Sequence, residues 1–240
     1  MNLHLVIGTP MYGGMCTSEY TQSLLNLSES ANKSDVKLTT IFLGNESLIQ
    51  RGRNTVAHHF MNLPDATHLL FIDADIKFRT EDIVKMIAAD KSLIVGPVAL
   101  KGYNWEEIRQ AAVNGEDDIG RTGGVFNINK LPGIDMVDEN TPFEIEHGGN
   151  AFMMIRRDVF ETLKPHTPIY TNGGRSLPDG VEIYDYFRVE INKDTNHLLS
   201  EDYFLCHSYR QLGGKVWCAP WVETGHFGSH LFNGKYSRNN

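Results

Sequence analysis

Short apolar runs alternate with amphipathic stretches over the first hundred residues. Each run is rich in Val, Ile, Leu or Phe, and turn-forming residues separate the runs, which predicts buried strands. The predicted strands are 3–7, 36–43, 68–72 and 93–100. Apolar residues at helical spacing predict three intervening helices: one capped by Thr17 or Ser18, one over 47–61 and one beginning at Thr80. This alternation predicts a mainly parallel sheet covered by helices, with ligands bound beyond the carboxyl ends of the strands.

The pattern becomes less regular after residue 100. Gly, Asn and Asp are dense between 101 and 145, which predicts long loops and at most a hairpin arm over 124–129. Further strands are predicted over 151–155, 181–191 and 215–219, and further helices over 158–163 and 200–212. The length of 240 residues and the lack of repeats or linkers favour a single domain over 1–240.

Composition narrows the function classes. The formal net charge of −8 argues against a general nucleic-acid or anionic-membrane binder, because both need a basic surface. No apolar run is long enough for a transmembrane segment, and the first residues do not form a secretory signal. The three cysteines are far apart and form no CxxC pair, so we expect buried thiols and a cytoplasmic protein.

The strongest chemical signal is a pair of acids directly after the third predicted strand. Asp73 and Asp75 are separated by Ala74 and follow four apolar residues, so both carboxylates can point into one crevice at the strand end. Oxygen ligands of this kind suit Mg²⁺ or Mn²⁺, which neutralise a polyphosphate. A solvated turn is the alternative, since Asp is common after strands. A haloacid-dehalogenase-type phosphatase also has such a motif, but nearer the start of the chain and with a different residue pattern after it.

Three further groups could complete a site. Ser200, Glu201 and Asp202 lie at a predicted helix start, where the helix dipole favours ionised carboxylates and Asp202 could act as a general base. His226 and His230 are candidate metal ligands between glycines. On the helix over 47–61, Arg51, Asn54 and His58 share a face on which a guanidinium could meet a phosphate or hold Asp73. Each group also has a purely structural interpretation.

Taken in order, these segments resemble GT-A-type glycosyltransferases, the small bacterial and viral members that use nucleotide-diphosphate sugars. The resemblance covers nearly the whole chain. It implies a GT-A-like, Rossmann-like α/β fold with an irregular, acceptor-side C-terminal half. In it, 1–100 is the nucleotide-binding half, 101–232 the acceptor and catalytic half, and 233–240 a mobile tail. The matching segments are Thr9–Tyr12, Arg51–Asn54, Asp73–Asp75, Gly148–Arg157, Ser200–Asp202 and Gly225–His226.

The resemblance also implies roles for single residues. Asp75 and His226 bind Mn²⁺ or Mg²⁺, with Asp73 at the metal or the ribose, and Asp202 is the base of an inverting transfer. The donor, by family habit a UDP-sugar, contacts a larger set: Thr9, Pro10, Tyr12, Arg51, Asn54, Asp73, Ala74, Gly149 and Asn150. The acceptor is a glycan or another hydroxyl compound, recognised within 101–145.

Two other function classes stay open. A metal-dependent phosphohydrolase or nucleotidyltransferase could use the same acids, and a non-catalytic carbohydrate-binding module could use exposed tryptophans. Trp105 and Trp221, in predicted loops, are better placed to stack on sugars than Trp217, which lies in an apolar strand.

Overall fold

The computed structural model describes residues 3–134, 138–173 and 177–229, apart from the side chain of Arg121. The strands in chain order are β1 (His4–Met11), β2 (Lys37–Gly44), β3 (His68–Ile72), β4 (Ile76–Lys77), β5 (Leu93–Val95), β6 (Ile128–Lys130), β7 (Phe143–Gly148), β8 (Phe152–Arg156), β9 (Ile169–Thr171), β10 (Glu182–Tyr184), β11 (Glu190–Ile191), β12 (Leu198–Leu199), β13 (Val216–Cys218) and β14 (Gly225–His226). The α-helices are α1 (Ser18–Lys33), α2 (Ile49–Met61), α3 (Thr80–Ala88), α4 (Trp105–Asn114), α5 (Ile119–Thr122), α6 (Arg157–Leu163) and α7 (Glu201–Gln211).

Eight strands form a central sheet in the order β2-β1-β3-β8-β5-β13-β7-β6. The pairs β1/β2, β1/β3 and β5/β13 are parallel, whereas β8 and β7 run antiparallel to each of their neighbours. Six of the eight strands therefore point the same way. This mixed but mostly parallel α/β sheet, flanked by helices, is compatible with a Rossmann-like fold.

Both faces of the sheet are buried. On β1, Val6 packs into one core cluster while its neighbours Leu5 and Ile7 pack into the other, because successive strand residues point to opposite faces. The same alternation separates Phe71 from Leu70 on β3. This arrangement explains why the sequence shows continuous apolar runs rather than an apolar–polar alternation.

The first hundred residues contain the predicted strands and helices in the predicted order, but β1 extends to Met11 instead of ending at residue 7, and the short strand β4 was not predicted. The third strand has the predicted bounds, the third helix begins at Thr80, and Thr17 caps α1 by accepting a hydrogen bond from the Tyr20 amide at 3.2 Å. The fourth predicted strand is shorter than expected. It ends at Val95, before Gly96 and Pro97, and only Ala99 forms a further isolated bridge, to Phe126.

The second half is more regular than expected. It supplies β6, β7, β8 and β13 to the central sheet. The segment predicted as long loops contains α4, which Asn104 caps and Gly115 ends in the left-handed conformation (φ 75°). Ala111 of this helix is buried, and Trp105 and Ile108 precede it at helical spacing, so the helical pattern was present within a segment dense in Gly, Asn and Asp.

All three cysteines lie in the described part of the chain and carry free thiols. Cys206 and Cys218 are buried, but Cys16 is exposed, which corrects the expectation of three buried thiols. Across the described ranges, no helix has the length and apolar character needed to cross a membrane.

Candidate active site

A cavity of about 280 Å³ opens at the carboxyl-terminal edge of the parallel strands. Its walls are formed by the segments that follow β3 and β5, by the turn before β8, and by the first turns of α2 and α7. Its polar lining residues are Arg53, Asp73, Asn127, Asn150, Glu201, Asp202 and His226. Remote parts of the sequence therefore meet where sheets of this type bind ligands.

Arg53 lies at the centre of this lining and is almost fully buried. Its Nη2 donates to Asp73 Oδ1 at 3.0 Å, and its Nε donates to Glu201 Oε1 at 3.4 Å. The guanidinium carbon also lies 5.2 Å from the centre of the Phe71 ring. Nη1 has no hydrogen-bond partner among the described residues. Arg53 thus fixes two acids from different elements and leaves one buried donor, Nη1, without a partner among the described residues.

Burial and neighbouring charges have opposite effects on the pKa values of Arg53 and Glu201. Burial disfavours the charged form of Arg53, but Asp73 and Glu201 outweigh that effect and raise the Arg53 pKa. Burial, followed by the charge of Asp202, raises the pKa of Glu201 above its usual value. With all three acids ionised, Asp73, Glu201 and Asp202 against Arg53 leave two uncompensated negative charges. The side chains that line the cavity therefore carry more formal negative than positive charge.

Asp202 is held at the start of α7 by hydrogen bonds from both sides. Oδ1 accepts from the backbone N–H of Tyr203 at 2.8 Å and from the Ser200 hydroxyl. Oδ2 accepts from the backbone N–H of Asn150 at 3.3 Å. Ser200 occupies the N-cap position as expected, but its hydroxyl bonds Asp202 rather than capping the helix backbone. These contacts fix the orientation of the carboxylate at the cavity wall.

Asp75 and His226 approach each other beside the cavity. His226 Nε2 lies 3.6 Å from Asp75 Oδ2, and β14, which contains His226, pairs with β4 directly after Asp75. His226 Nδ1 lies 2.7 Å from the Ala99 carbonyl oxygen, which can only accept, so Nδ1 carries a proton. In neutral His226 the lone pair is then on Nε2, facing Asp75. Lys101 donates to the same Asp75 oxygen.

This pair fits part of a divalent cation site. A carbonyl that fixes the imidazole through Nδ1 while Nε2 faces a carboxylate is a common arrangement around metal ligands. Mg²⁺ is often bound by one or two carboxylates, with substrate phosphates and water as the remaining ligands. In the described part of the chain, however, no group of three His, Cys, Asp or Glu side chains is arranged to hold a metal ion. Asp75 and His226 would need oxygen atoms of a ligand to complete such a site.

Asn150 lines the cavity and has unsatisfied hydrogen-bonding capacity in its buried side chain. Its side chain is buried, yet neither amide atom has a partner within the described ranges. Buried amide groups are normally hydrogen-bonded, and one carboxamide can both donate to and accept from a bound hydroxyl. The preceding Gly149 packs closely against Asn127, because an added Cβ would come within 2.8 Å of the side-chain nitrogen of Asn127 and would require that side chain to shift.

Comparison with known proteins shows the fold and little beyond it. No family model matches the sequence, and no curated protein does. Among solved structures, A197 from STIV aligns with a TM-score of 0.50 at 12% identity, over 98% of this chain and 99% of that one. The likeness to A197 shows a shared fold across essentially the whole chain.

Two other solved structures are similar over part of this chain. A glycosyltransferase involved in the glycosylation of the major capsid of PBCV-1 gives a TM-score of 0.34 at 10% identity, over 68% of this chain and 64% of that one. HddC from Yersinia pseudotuberculosis gives 0.32 at 12% identity, over 66% of this chain and 79% of that one. At these TM-scores neither likeness carries weight for the function of this chain.

The structure brings together about half of the residues singled out from the sequence. Asp73, Gly149, Asn150, Asp202 and His226 line one cavity. Asp75 joins them through its contact with His226. His230, the alternative to His226, lies outside the described residues.

The other predicted donor-site residues lie away from the cavity or form hydrogen bonds with other parts of the protein. Thr9 is fully buried, with its hydroxyl 2.6 Å from that of Tyr20. Asn54 is buried and bonds Asp185 and the backbone of Phe187. Pro10, Tyr12, Arg51 and Ala74 are not among the residues that line the cavity; Tyr12 is exposed, and the Ala74 carbonyl accepts from the Thr17 amide.

Arg53, rather than the predicted Arg51, holds Asp73. Arg51 pairs with Glu46 through two short hydrogen bonds, whereas Arg53 contacts Asp73. The sequence pattern could have identified Arg53. It precedes Val56, Ala57 and Phe60 at helical spacing and therefore lies on the buried stripe of α2. A charged residue on a buried stripe indicates compensating acids nearby.

Proposed function

We propose that this protein is a metal-dependent glycosyltransferase with a GT-A-like fold. It transfers a sugar from a nucleotide-diphosphate donor, with UDP-sugars as the first candidates, to a hydroxyl acceptor. The observation that carries the proposal is one cavity edge at which a fixed aspartate, a buried arginine with a spare donor, an unsatisfied carboxamide and an Asp–His pair converge.

The charges of the cavity support a diphosphate bound together with a cation. Asp75 and His226 would hold Mn²⁺ or Mg²⁺, which supplies positive charge for the leaving diphosphate. Arg53 uses its unpartnered Nη1 for a polar atom of the donor while keeping Asp73 in place. Asn150 bonds hydroxyls of the donor sugar through its carboxamide. Without a cation, the excess negative charge of the cavity would repel the diphosphate of the donor.

Asp202 is the general base in this proposal. Three protein donors orient its carboxylate at the cavity wall, which prepares it to accept the proton of an acceptor hydroxyl. The oxygen of that hydroxyl attacks the anomeric carbon as the bond to the diphosphate breaks, and attack from the opposite face inverts the configuration. The diphosphate leaves with the electron pair of the broken bond.

A phosphohydrolase or nucleotidyltransferase using the same acids is the main alternative. A phosphatase of the haloacid-dehalogenase type needs the first acid of the motif as a nucleophile. Here Asp73 is engaged by the buried Arg53, which lowers the availability of its Oδ1 for attack. Product identity separates the three activities, because only the transferase yields a nucleoside diphosphate and a glycoside.

A thermal-shift screen tests donor binding directly. A ligand that binds only the folded state raises the apparent melting temperature by mass action. We expect a rise with nucleotide-diphosphate sugars in the presence of Mn²⁺ and none with EDTA. The matched nucleoside monophosphates serve as controls, because they lack the diphosphate whose charge the cation would offset. Equal stabilisation by both ligand classes, with or without Mn²⁺, would contradict the proposal.

A further inference from the structure

A second cavity adjoins the first and differs from it in character. Its volume is about 440 Å³, and the two cavities share Ala99, Leu100 and His226 as wall residues. The shared wall includes the imidazole that faces Asp75. A molecule in the second cavity would therefore border the proposed site of transfer. Nothing in the proposed donor contacts uses its remaining walls.

Exposed aromatic rings and glycines dominate the outer part of this cavity. Tyr103 and Phe126 line it and are 56% and 48% exposed. Trp105, 66% exposed, extends the aromatic surface beyond the lining, with its ring 5.3 Å from that of Tyr103. Glycines at 102, 120, 124 and 228 leave other stretches of wall without side chains. Rings of this size with exposed faces provide flat apolar area at low entropic cost.

The surrounding charge limits the kind of molecule that fits. Among the described lining residues, Lys101 and Glu223 carry a formal charge, and each is paired, with Asp75 and Arg79 respectively. An anionic membrane surface or a nucleic acid would find no basic patch to bind. Pyranose rings combine apolar faces, which can lie on aromatic rings, with hydroxyls that hydrogen-bond at their edges. A neutral carbohydrate matches both the aromatic walls and the absence of a basic patch.

We propose that this cavity is the acceptor site and takes a neutral oligosaccharide, with sugar faces on Tyr103 and Phe126. The inference rests on the proposed function, because it uses the first cavity for the donor. It selects glycans over the lipid and protein hydroxyls that the same chemistry would allow. Tyr103 and Phe126 are then residues that determine acceptor specificity rather than catalytic residues.

Two substitutions probe the cavity in opposite ways. Tyr103→Ala removes one stacking surface, and Tyr103→Phe retains it. Gly102→Leu fills the cavity: a Cβ at this position meets no atom within 4 Å, so the fold has room for it. Val113→Ala is the matched control, because Val113 is a 77% exposed apolar residue on α4 that does not line the cavity.

Direct binding separates this inference from the proposed function. Intrinsic tryptophan fluorescence is titrated, without donor or metal, with maltotetraose, cellotetraose, chitotetraose and mannotetraose, and with phosphatidylglycerol vesicles. We expect at least one oligosaccharide to bind wild type, Tyr103→Phe and Val113→Ala. We expect roughly tenfold weaker binding to Tyr103→Ala and to Gly102→Leu. In transfer assays the same two variants raise the acceptor KM more than they lower kcat.

The outcomes are distinct. Oligosaccharide binding that depends on Tyr103 supports the acceptor site even if no nucleotide sugar binds, in which case only the transferase proposal fails. Nucleotide-sugar binding combined with no binding of any oligosaccharide overturns the acceptor site. Binding of the vesicles alone, or equal oligosaccharide binding by wild type, Tyr103→Ala and Gly102→Leu, overturns it as well.

Discussion

Arg53 Nη2 donates to Asp73 Oδ1 across 3.0 Å, joining the buried stripe of α2 to the strand end of β3. The side chain of Arg53 is 4% exposed, whereas that of Asp73 is 31% exposed. The pair is therefore buried on one side and open to the cavity on the other. Its position makes Arg53 both a structural support and a donor group in the proposed site.

The first prediction concerns the stability contributed by this pair. Arg53→Met leaves Asp73 and Glu201 without their buried cation, so we expect the free energy of unfolding to fall by about 3–5 kcal/mol. Arg109→Met is the control, because Arg109 pairs with Glu106 on the surface. This substitution should change the free energy of unfolding by less than about 1 kcal/mol. Urea denaturation measures both. Equal losses of stability in the two variants would show that the Arg53 contacts stabilise the fold no more than a surface ion pair does.

The second prediction separates binding from chemistry at Asp202. Asp202→Asn keeps the size of the side chain but removes the base, so we expect kcat for transfer to fall by at least about 100-fold. Donor affinity, measured by calorimetry with Mn²⁺, should change little. Glu81→Gln, an exposed acid in the first turn of α3, controls for loss of a helix N-terminal charge. Full turnover in the Asp202 variant would remove it as base and reopen a retaining mechanism.

The third prediction concerns the cation. Asp75→Ala and His226→Ala each remove one proposed ligand, so Mn²⁺ should no longer enhance nucleotide-sugar binding in calorimetry. Asp65→Ala is the matched control, because Asp65 precedes β3 at the opposite edge of the sheet and pairs with the exposed Lys37, remote from the proposed cation site. Unchanged Mn²⁺-dependent binding in both site variants would show that the cation binds elsewhere.

The fourth prediction is a dependence of stability on pH. Burial is the main cause that lowers the pKa of His147 below 6.5, so the folded state favours the neutral imidazole. The unfolded chain therefore binds more protons as the pH falls through 6.5, and stability falls until the lower folded-state pKa is passed. We expect His147→Gln to reduce the loss of stability between pH 7.5 and 5.5 measured by urea denaturation. His197→Gln, at an exposed position, should behave as wild type; equal pH dependence in all three proteins would contradict the assignment.

The sequence predicted the place of the strand-end acids because that part of the fold is local. Asp73 and Asp75 follow an apolar run whose end is visible in the pattern, and Asp202 lies next to a helix start. Parallel strands then bring such ends to one edge of the sheet. His226 lies at the same edge because β14 pairs with β4.

Two features were not predicted from the pattern. The partner of Arg53 on α7 is Glu201, 148 residues away, and no periodicity encodes that contact. The helix α4 was missed because Gly, Asn and Asp are dense around it, although Trp105, Ile108 and Ala111 stand at helical spacing. The second cavity is lined by residues on either side of α4, most of which belong to the segment predicted as loops, and by residues 222–229.

Product analysis tests the central claim most directly. Protein, Mn²⁺, a panel of nucleotide-diphosphate sugars and the oligosaccharide bound by the second cavity are incubated together, and the products are identified by mass spectrometry. The account predicts equal amounts of a nucleoside diphosphate and an oligosaccharide extended by one sugar, both abolished by EDTA and by Asp202→Asn. Release of inorganic phosphate or pyrophosphate with no extended oligosaccharide would contradict it.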